Sequence, residues 1–371
     1  MSDTNNETVW WPFADAAAWM ETGFRAAGVP EADAAVCTDV LIAADRRGVD
    51  SHGAGRFKPI YIDRILAGIQ EPVTRFELVR ETPTTAVIDG HNGMGHVIAK
   101  RAMQLAIDKA ARNGLGMTVV RNSTHYGAAF YYADMAVQAG MIGFTGTNAR
   151  PSIAPTWGVE PMLGTNPLTW GMPSDEAFPF MLDCATSVTQ RGKLELYDRL
   201  GKPLPDGWVI GSDGQYRHDT HQVLADLIRD QAALTPIGGQ GEDGGGYKGY
   251  GYAMVSEILS SALSQANFLK ALLGVDRAGK PAPIQLGHFF LAVQVEAFVD
   301  LAEFRRSVGE ICRSLRASRK APGASRIWTP GEKEWEAAQY RKDKGVPCNP
   351  ALQTAFRAVR DRLGIARPLP F

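Results

Sequence analysis

The run Ala43-Ala44-Asp45-Arg46-Arg47-Gly48-Val49-Asp50-Ser51-His52-Gly53-Ala54-Gly55-Arg56 gathers one imidazole, three guanidinium groups and three glycines into fourteen positions. It follows the apolar helical run Ala34-Ala35-Val36 to Leu41-Ile42, which sets the charged cluster at the mouth of a packed element. If Ser51 caps a new helix, His52 and Arg56 stand four apart on one face. A proton donor beside a fixed cation can hold a carboxylate and protonate the oxygen next to it. Without that chemistry the same residues are a helix-terminal histidine and solvated arginines.

A second histidine is placed for chemistry. Ser123-Thr124-His125-Tyr126-Gly127-Ala128-Ala129 lies just past a predicted strand and opens a predicted helix, and ligands of α/β folds bind at the carboxyl ends of strands. The plainer role for His125 is a helix-start residue bonded to backbone. Asp183 ends another predicted strand, where it can orient a ribose or a histidine, or cap the next turn.

The glycine run Gly244-Gly245-Gly246-Tyr247-Lys248-Gly249-Tyr250-Gly251 contains G-x-G-x-x-G, but a loop precedes it where a Rossmann unit needs a strand. An acidic ribose partner about twenty residues on is missing too. Gly249 after Lys248 excludes a Walker loop. What remains is bare backbone N–H groups, a lysine and a helix start, which together make an anion cradle or a surface loop. Metal binding is not expected. His218 and His221 sit three apart with no further ligands, and His91 and His96 have no carboxylate in register. No G-x-S-x-G elbow or local Cys–His pair supports a nucleophile.

The elements that must position these groups follow from periodicity. Residues 13–27 predict a helix stopped by Gly28, and a second runs from Pro30 to about Arg46. Pro59 opens a third, closed by Gly68, so the first seventy residues are expected to be helical. Phe76 to Val79 and Thr84 to Ile88 predict a hairpin, and Val97 to Ala111 an amphipathic helix ended by Asn113-Gly114. Met117 to Val120 and Ile142 to Thr145 are strands on either side of a helix from Tyr126 to Ala139. Phe178 to Leu182 reads as a buried strand, Tyr252 to Leu263 as a helix and Phe289 to Val295 as a last strand. Helices then fill 300–317, 331–344 and 350–362. The fold class is α/β, with helical ends flanking a mixed middle.

The balance of 39 basic against 40 acidic residues gives no electrostatic case for nucleic acid. No apolar run is long enough to span a membrane. The polar start Met1 to Glu7 lacks a targeting pattern, and four scattered cysteines (Cys37, Cys184, Cys312, Cys348) form no redox motif. A reduced, cytoplasmic protein is the expectation.

Taken in order, several pieces resemble the malate/L-lactate/sulfolactate dehydrogenase family, whose NAD(P) fold is not of the Rossmann type. They are Ala44-Asp45 with Arg47-Gly48, Ser51-His52-Gly53 and Arg56; His125 with Gly127-Ala128; Gly164-Thr165-Asn166-Pro167; Asp183 to Ser187; Lys248-Gly249-Tyr250-Gly251; and Pro330-Gly331-Glu332. The resemblance runs from about 13 to 345. It implies a helical domain from residues 1–74 and 299–371 around a mixed-sheet cofactor domain at 75–298, assembled as a homodimer. Asp183, Cys184, Ala185 and Thr186 would line the adenosine side of the cofactor, completed by Lys248, Gly249, Pro330, Gly331 and Glu332. His125 or His52 would be the acid/base, and Arg56 would clamp the substrate carboxylate with Arg47 and Tyr61 nearby. Where some relatives have a serine beside the cofactor, this chain has Ala149, followed by Arg150. The segment 221–243 also looks longer than in compact members.

The implied reaction is hydride transfer between NAD(P) and a malate- or lactate-like 2-hydroxyacid. A neutral histidine takes the hydroxyl proton, and in reverse an imidazolium returns it. NAD is favoured, although Arg191 and Lys193 could meet a 2′-phosphate. The alternative is reduction of a cyclic imino acid of the piperideine-2-carboxylate type or of a sugar-derived 2-oxoacid.

Overall fold

The computed structural model describes residues 8–371; the stretch Met1 to Glu7, read above for a targeting pattern, lies outside them. In chain order the elements are β1 (Val9–Trp11), α1 (Phe13–Ala26), α2 (Glu31–Arg46), α3 (Asp63–Leu66), β2 (Glu77–Glu81), β3 (Thr85–Asp89), α4 (Gly95–Asn113), β4 (Leu115–Ser123), α5 (Phe130–Gln138) and β5 (Met141–Thr147). They continue with β6 (Leu168–Met172), β7 (Phe180–Cys184), α6 (Arg191–Arg199), β8 (Val209–Gly211), α7 (Thr220–Asp226), β9 (Ala232–Leu234), α8 (Gly246–Ser261), β10 (Leu286–Gln294), α9 (Leu301–Ala317), α10 (Glu332–Arg341), β11 (Val346–Cys348) and α11 (Pro350–Leu363).

Both ends of the chain enter one aromatic core. Trp11, Trp19, Phe24, Phe57 and Phe356 are buried together, with edge-to-face contacts such as Phe24–Phe57 at 4.9 Å and Trp19–Phe356 at 5.1 Å. Such pairs add about 0.5–1.5 kcal/mol each beyond the area they bury. The ends are also tied by an antiparallel pairing of β1 with β11. That pairing corrects the all-helical reading of the first seventy residues: strands of three residues are too short to carry a period. α9 adds no residue to this core. Its Arg313 and Arg316 instead reach Asp175 and Glu176 in the loop before β7.

The middle of the chain forms a seven-stranded sheet in the order β2-β3-β4-β10-β5-β6-β7. All neighbours are antiparallel except β3 and β4, which α4 connects as a crossover. Phe289 and Phe290 of β10 enter different cores. Phe290 packs with α4 and α5, Phe289 with Leu259 of α8, so helices cover both faces. Gly287 lets α8 approach, since a Cβ there would stand 2.0 Å from the Ser260 carbonyl oxygen. Among the described residues no helix is long and apolar enough to cross a membrane.

Several expected boundaries moved. Residues 124–129 stay irregular, and α5 starts only at Phe130, because Gly127 sits at φ +81°. β7 is an edge strand rather than a buried one, with Leu182 and Asp183 exposed. α8 begins inside the glycine run, at Gly246. Ser51 caps no helix. Gly53 leaves the helical region (φ −89°, ψ −145°), a 3₁₀ turn covers Ala54–Arg56, and Phe57–Ile62 forms a π-helical turn. The cap is Asp45, whose carboxyl oxygen accepts the Ala54 N–H at 2.8 Å. Gly53 lies so close that a Cβ would be 1.9 Å from Asp45 Oδ1.

Burial also sets the acid stability. His96 and His288 are fully buried, which pushes both imidazoles down to about 3. The unfolded chain takes up protons at these sites from about pH 6.5 downward while the fold does not. Stability therefore falls with pH from there towards 3, by about 1.4 kcal/mol per unit for each histidine. Asp45, pushed up to about 8 by burial, slopes the other way and offsets one of the two. The urea midpoint should be lower at about pH 4.5 than at about pH 6.5; an equal midpoint would contradict this linkage.

Candidate active site

A cleft of about 800 Å³ lies at one end of the sheet. The carboxyl ends of β4, β5 and β7 and the residues just after them supply one wall with His125, Asn148, Ala149, Asp183 and Ala185. The signature turn supplies Arg47, His52 and Arg56, and the segment into α10 supplies Pro330, Gly331, Glu334 and Trp335. The two histidines, 73 positions apart in the chain, stack with centroids 5.8 Å apart and planes 17° off parallel.

Each ring has a defined neighbour. His52 Nδ1 lies 2.9 Å from Ser51 Oγ. His125 Nδ1 lies 2.6 Å from the Tyr61 hydroxyl and accepts the Gly127 N–H at 3.2 Å. Burial lowers the His52 imidazole to about 4, with the Arg56 charge adding to the effect. Burial pushes His125 well below its usual range, helped by His52, His96, Arg56 and Arg64. Two adjacent rings beside guanidinium groups are thus both neutral near pH 7.

Arg56 Nε donates to the Ser51 carbonyl, and among the described residues no carboxylate pairs with this guanidinium. Arg47 is committed elsewhere: it bonds Asp134 at 3.1 Å and lies 4.3 Å over the Phe130 ring. The signature turn is braced from behind by Arg341, which donates to the Asp45 carbonyl at 2.7 Å and to the Asp50 carboxylate. Asp183 ties three elements, accepting the Phe130 N–H that starts α5 and the Thr169 hydroxyl of β6, both at 2.9 Å. Solvent reaches Asp183 along the open cleft, yet the surrounding wall raises its carboxyl above the ordinary range, against the pull of those two bonds.

A family model described as malate/L-lactate dehydrogenase matches residues 11–357. The chain belongs to this family. It is 40% identical over 338 residues to a malate dehydrogenase of Pyrococcus horikoshii, covering 91% of each chain. It is 36% identical to an L-sulfolactate dehydrogenase of Methanocaldococcus jannaschii, over 91% of this chain and 92% of that one. Among solved structures, malate dehydrogenase from Entamoeba histolytica superposes with a TM-score of 0.94 at 44% identity, over 98% of this chain and all of that one. The mixed seven-stranded sheet is the family's fold, and the glycine run opens a helix on its face with no Rossmann strand before it.

Of the residues the family resemblance singled out, the cleft brings together His52, His125, Arg47, Arg56, Ala149, Asp183, Ala185, Pro330 and Gly331. The others do not line it. Tyr61 is fully buried beneath His125. Cys184 Sγ turns to the Leu168 carbonyl, and the Thr186 hydroxyl to the Thr165 and Asn166 carbonyls. Glu332 is buried at the start of α10, accepting the Thr329 N–H at 3.0 Å and pairing with Arg326. Lys248 is exposed on the first turn of α8, and Gly249 packs on the Ile237 backbone.

Sequence reasoning missed Asn148, Asp134, Glu334 and Trp335 as cleft residues. Asn148 had a readable signal, as a polar residue directly after an apolar strand. The others sit on helices whose facing is set by tertiary packing.

Proposed function

We propose that this chain transfers a hydride between NAD and C2 of a small 2-hydroxyacid of the malate or lactate type. The observation that carries the reading is a cationic Arg56 with no carboxylate partner among the described residues, in the same cleft as a stacked pair of neutral histidines. A substrate carboxylate completes Arg56 through two parallel hydrogen bonds, which a lysine could not make. That grip sets the neighbouring C2 oxygen against the imidazoles. Protonated on both nitrogens, His125 gives its Nε2 proton to this oxygen during reduction, and the Nδ1–H ring left behind takes a proton back at Nε2 during oxidation. His52, beside Arg56, orients the substrate.

The chemistry of the walls fits a nicotinamide dinucleotide, which supplies the hydride donor and acceptor when bound. Gly331, at φ +93°, packs its bare backbone against β7, where a Cβ would stand 2.8 Å from the Pro179 carbonyl oxygen, and this sets the Pro330 segment beside the cleft. Asp183, Ala185, Pro330 and Gly331 would hold the adenosine side. Two carboxylates, Asp183 and Glu334, share that part of the cleft, and Arg191 is paired with Glu195. A 2′-phosphate would meet like charge there, which favours NAD over NADP. Four free thiols agree with a cytoplasmic setting. The exposed Tyr252, Val255 and Ile258 of α8 agree with a homodimer. The same reading divides the chain into a helical domain drawn from its two ends and a cofactor domain in its middle.

The test is oxidation of NADH and of NADPH with oxaloacetate, pyruvate, sulfopyruvate and piperideine-2-carboxylate. Turnover of a 2-oxoacid with NADH preferred is the expected result. Turnover of the cyclic imine alone would overturn it.

Lys248 gives a separate test of the cofactor side. Ile237 N–H donates to the Thr186 carbonyl at 2.9 Å, and a Cβ on Gly249 would come 2.2 Å from the Ile237 carbonyl oxygen. One backbone segment therefore separates the start of α8 from the residues following Asp183, within reach of a lysine drawn to a pyrophosphate. Lys248→Ala should weaken NADH binding by about tenfold, read by calorimetric titration, with little change in KM for the 2-oxoacid. Equal NADH affinity in the two proteins would return Lys248 to the surface.

A further inference from the structure

Tyr61 is fully buried, and its hydroxyl faces an imidazole. The hydrogen bonds around His125 determine which nitrogen carries the proton. A backbone N–H can only donate, and the Gly127 N–H points at Nδ1 from 3.2 Å. In the neutral ring Nδ1 is therefore an acceptor and the proton sits on Nε2. The Tyr61 hydroxyl, 2.6 Å from the same nitrogen, then donates to it as well. Because the Nδ1 edge is turned to a buried phenol, the Nε2 edge is the one presented to the cleft that His125 lines.

We infer that Tyr61 is a positioning residue for His125 and does not contact the substrate: with the Gly127 N–H, its hydroxyl holds the His125 proton on Nε2, facing the cleft. The two partners differ in what they tolerate. When the ring carries a proton on both nitrogens, the Gly127 N–H confronts an N–H, whereas the phenol oxygen can turn and accept from Nδ1. Taking a proton at Nε2 needs the Nδ1–H ring, which giving the Nε2 proton away also leaves, so Tyr61 can donate to Nδ1 in the resting ring and accept from Nδ1–H in the proton step. Its own ring is braced by His96, a buried imidazole with centroid 4.5 Å away and neither nitrogen hydrogen-bonded. The Gly127 N–H is braced as well. A Cβ at Gly127 would stand 2.6 Å from Val40 Cγ1 and 2.8 Å from His96 Nε2, so the loop has one position there.

The proton step that Tyr61 serves rests on the reaction proposed above; the tautomer does not. Both are tested with the full chain carrying ¹⁵N-imidazole histidine, the His125 signals being assigned by their loss in His125→Gln. In the free wild-type protein at neutral pH, His125 should show a protonated Nε2 and a pyridine-type Nδ1. Tyr61→Phe, which keeps the ring, should move the Nδ1 signal further towards an unbonded nitrogen. It should also cut kcat by about tenfold to a hundredfold with KM for the 2-oxoacid unchanged. A protonated Nδ1 in the wild type would overturn the inference. So would a Tyr61→Phe protein with an unmoved Nδ1 signal and a raised KM, since Tyr61 would then be touching the substrate. The spectrum is read without substrate, so a chain that turned over no 2-oxoacid would overturn the reaction and leave the tautomer standing.

Discussion

Replacing His125 by alanine should lower kcat by about 10²–10⁴, the usual worth of a positioned general acid/base. The expectation comes from where the ring is fixed. His125 follows β4 at the end of the sheet where Asn148, Ala149 and Ala185 also open into the cleft, and its far nitrogen is held by Tyr61 and Gly127. In the wild type, burial and four cationic or imidazole neighbours keep its pKa well below the usual value. A group that is neutral above a low pKa makes kcat/KM for hydroxyacid oxidation rise with pH through an acidic limb, then stay level through neutrality. His125→Ala should lose that limb. His52→Ala, beside Arg56 and bonded to Ser51, should act mainly on KM. If His52→Ala loses the limb while His125→Ala keeps it, the two roles are exchanged.

Arg56→Ala should raise KM for the 2-oxoacid by about thirtyfold, corresponding to about 2 kcal/mol. The loss of a buried charge-assisted pair spans a wider range, and the lower part applies here because Arg56 is only half-buried in an open cleft. NADH affinity should change little, since the residues proposed for the cofactor belong to other segments. An unaltered KM would remove Arg56 from the substrate site. Arg47 makes a useful contrast. Its guanidinium already serves Asp134 and Phe130, so its loss should disturb the wall more than the substrate grip.

Much of the scaffold was legible from the sequence because it rests on local rules. Gly114 at φ +83° ends α4, as Asn113-Gly114 predicted. The Glu81-Thr82-Pro83 turn joins an antiparallel hairpin. His52, His125 and Asp183 stood out because polar residues just beyond apolar runs tend to be held at element ends. What failed was long-range or very short. The pairing of Trp11 with Val346 spans almost the whole chain and involves three residues per strand. Asp45 displaced Ser51 as the cap because a buried carboxyl group from the preceding helix reaches the Ala54 N–H. Tyr126 begins no helix, since Gly127 must carry its N–H to His125. The position of Tyr61 behind His125 depends on a π-helical turn, and nothing in residue spacing distinguishes that turn from an ordinary helix.

The most direct measurement of the central claim is the fate of the hydride itself. The chain is incubated with NADH deuterated at both C4 positions and an excess of oxaloacetate or pyruvate, and the product is examined by NMR. The account predicts a 2-hydroxyacid carrying one deuterium on C2, formed in step with the loss of NADH. Loss of NADH without deuterium at C2, or no loss with either acid, would contradict it.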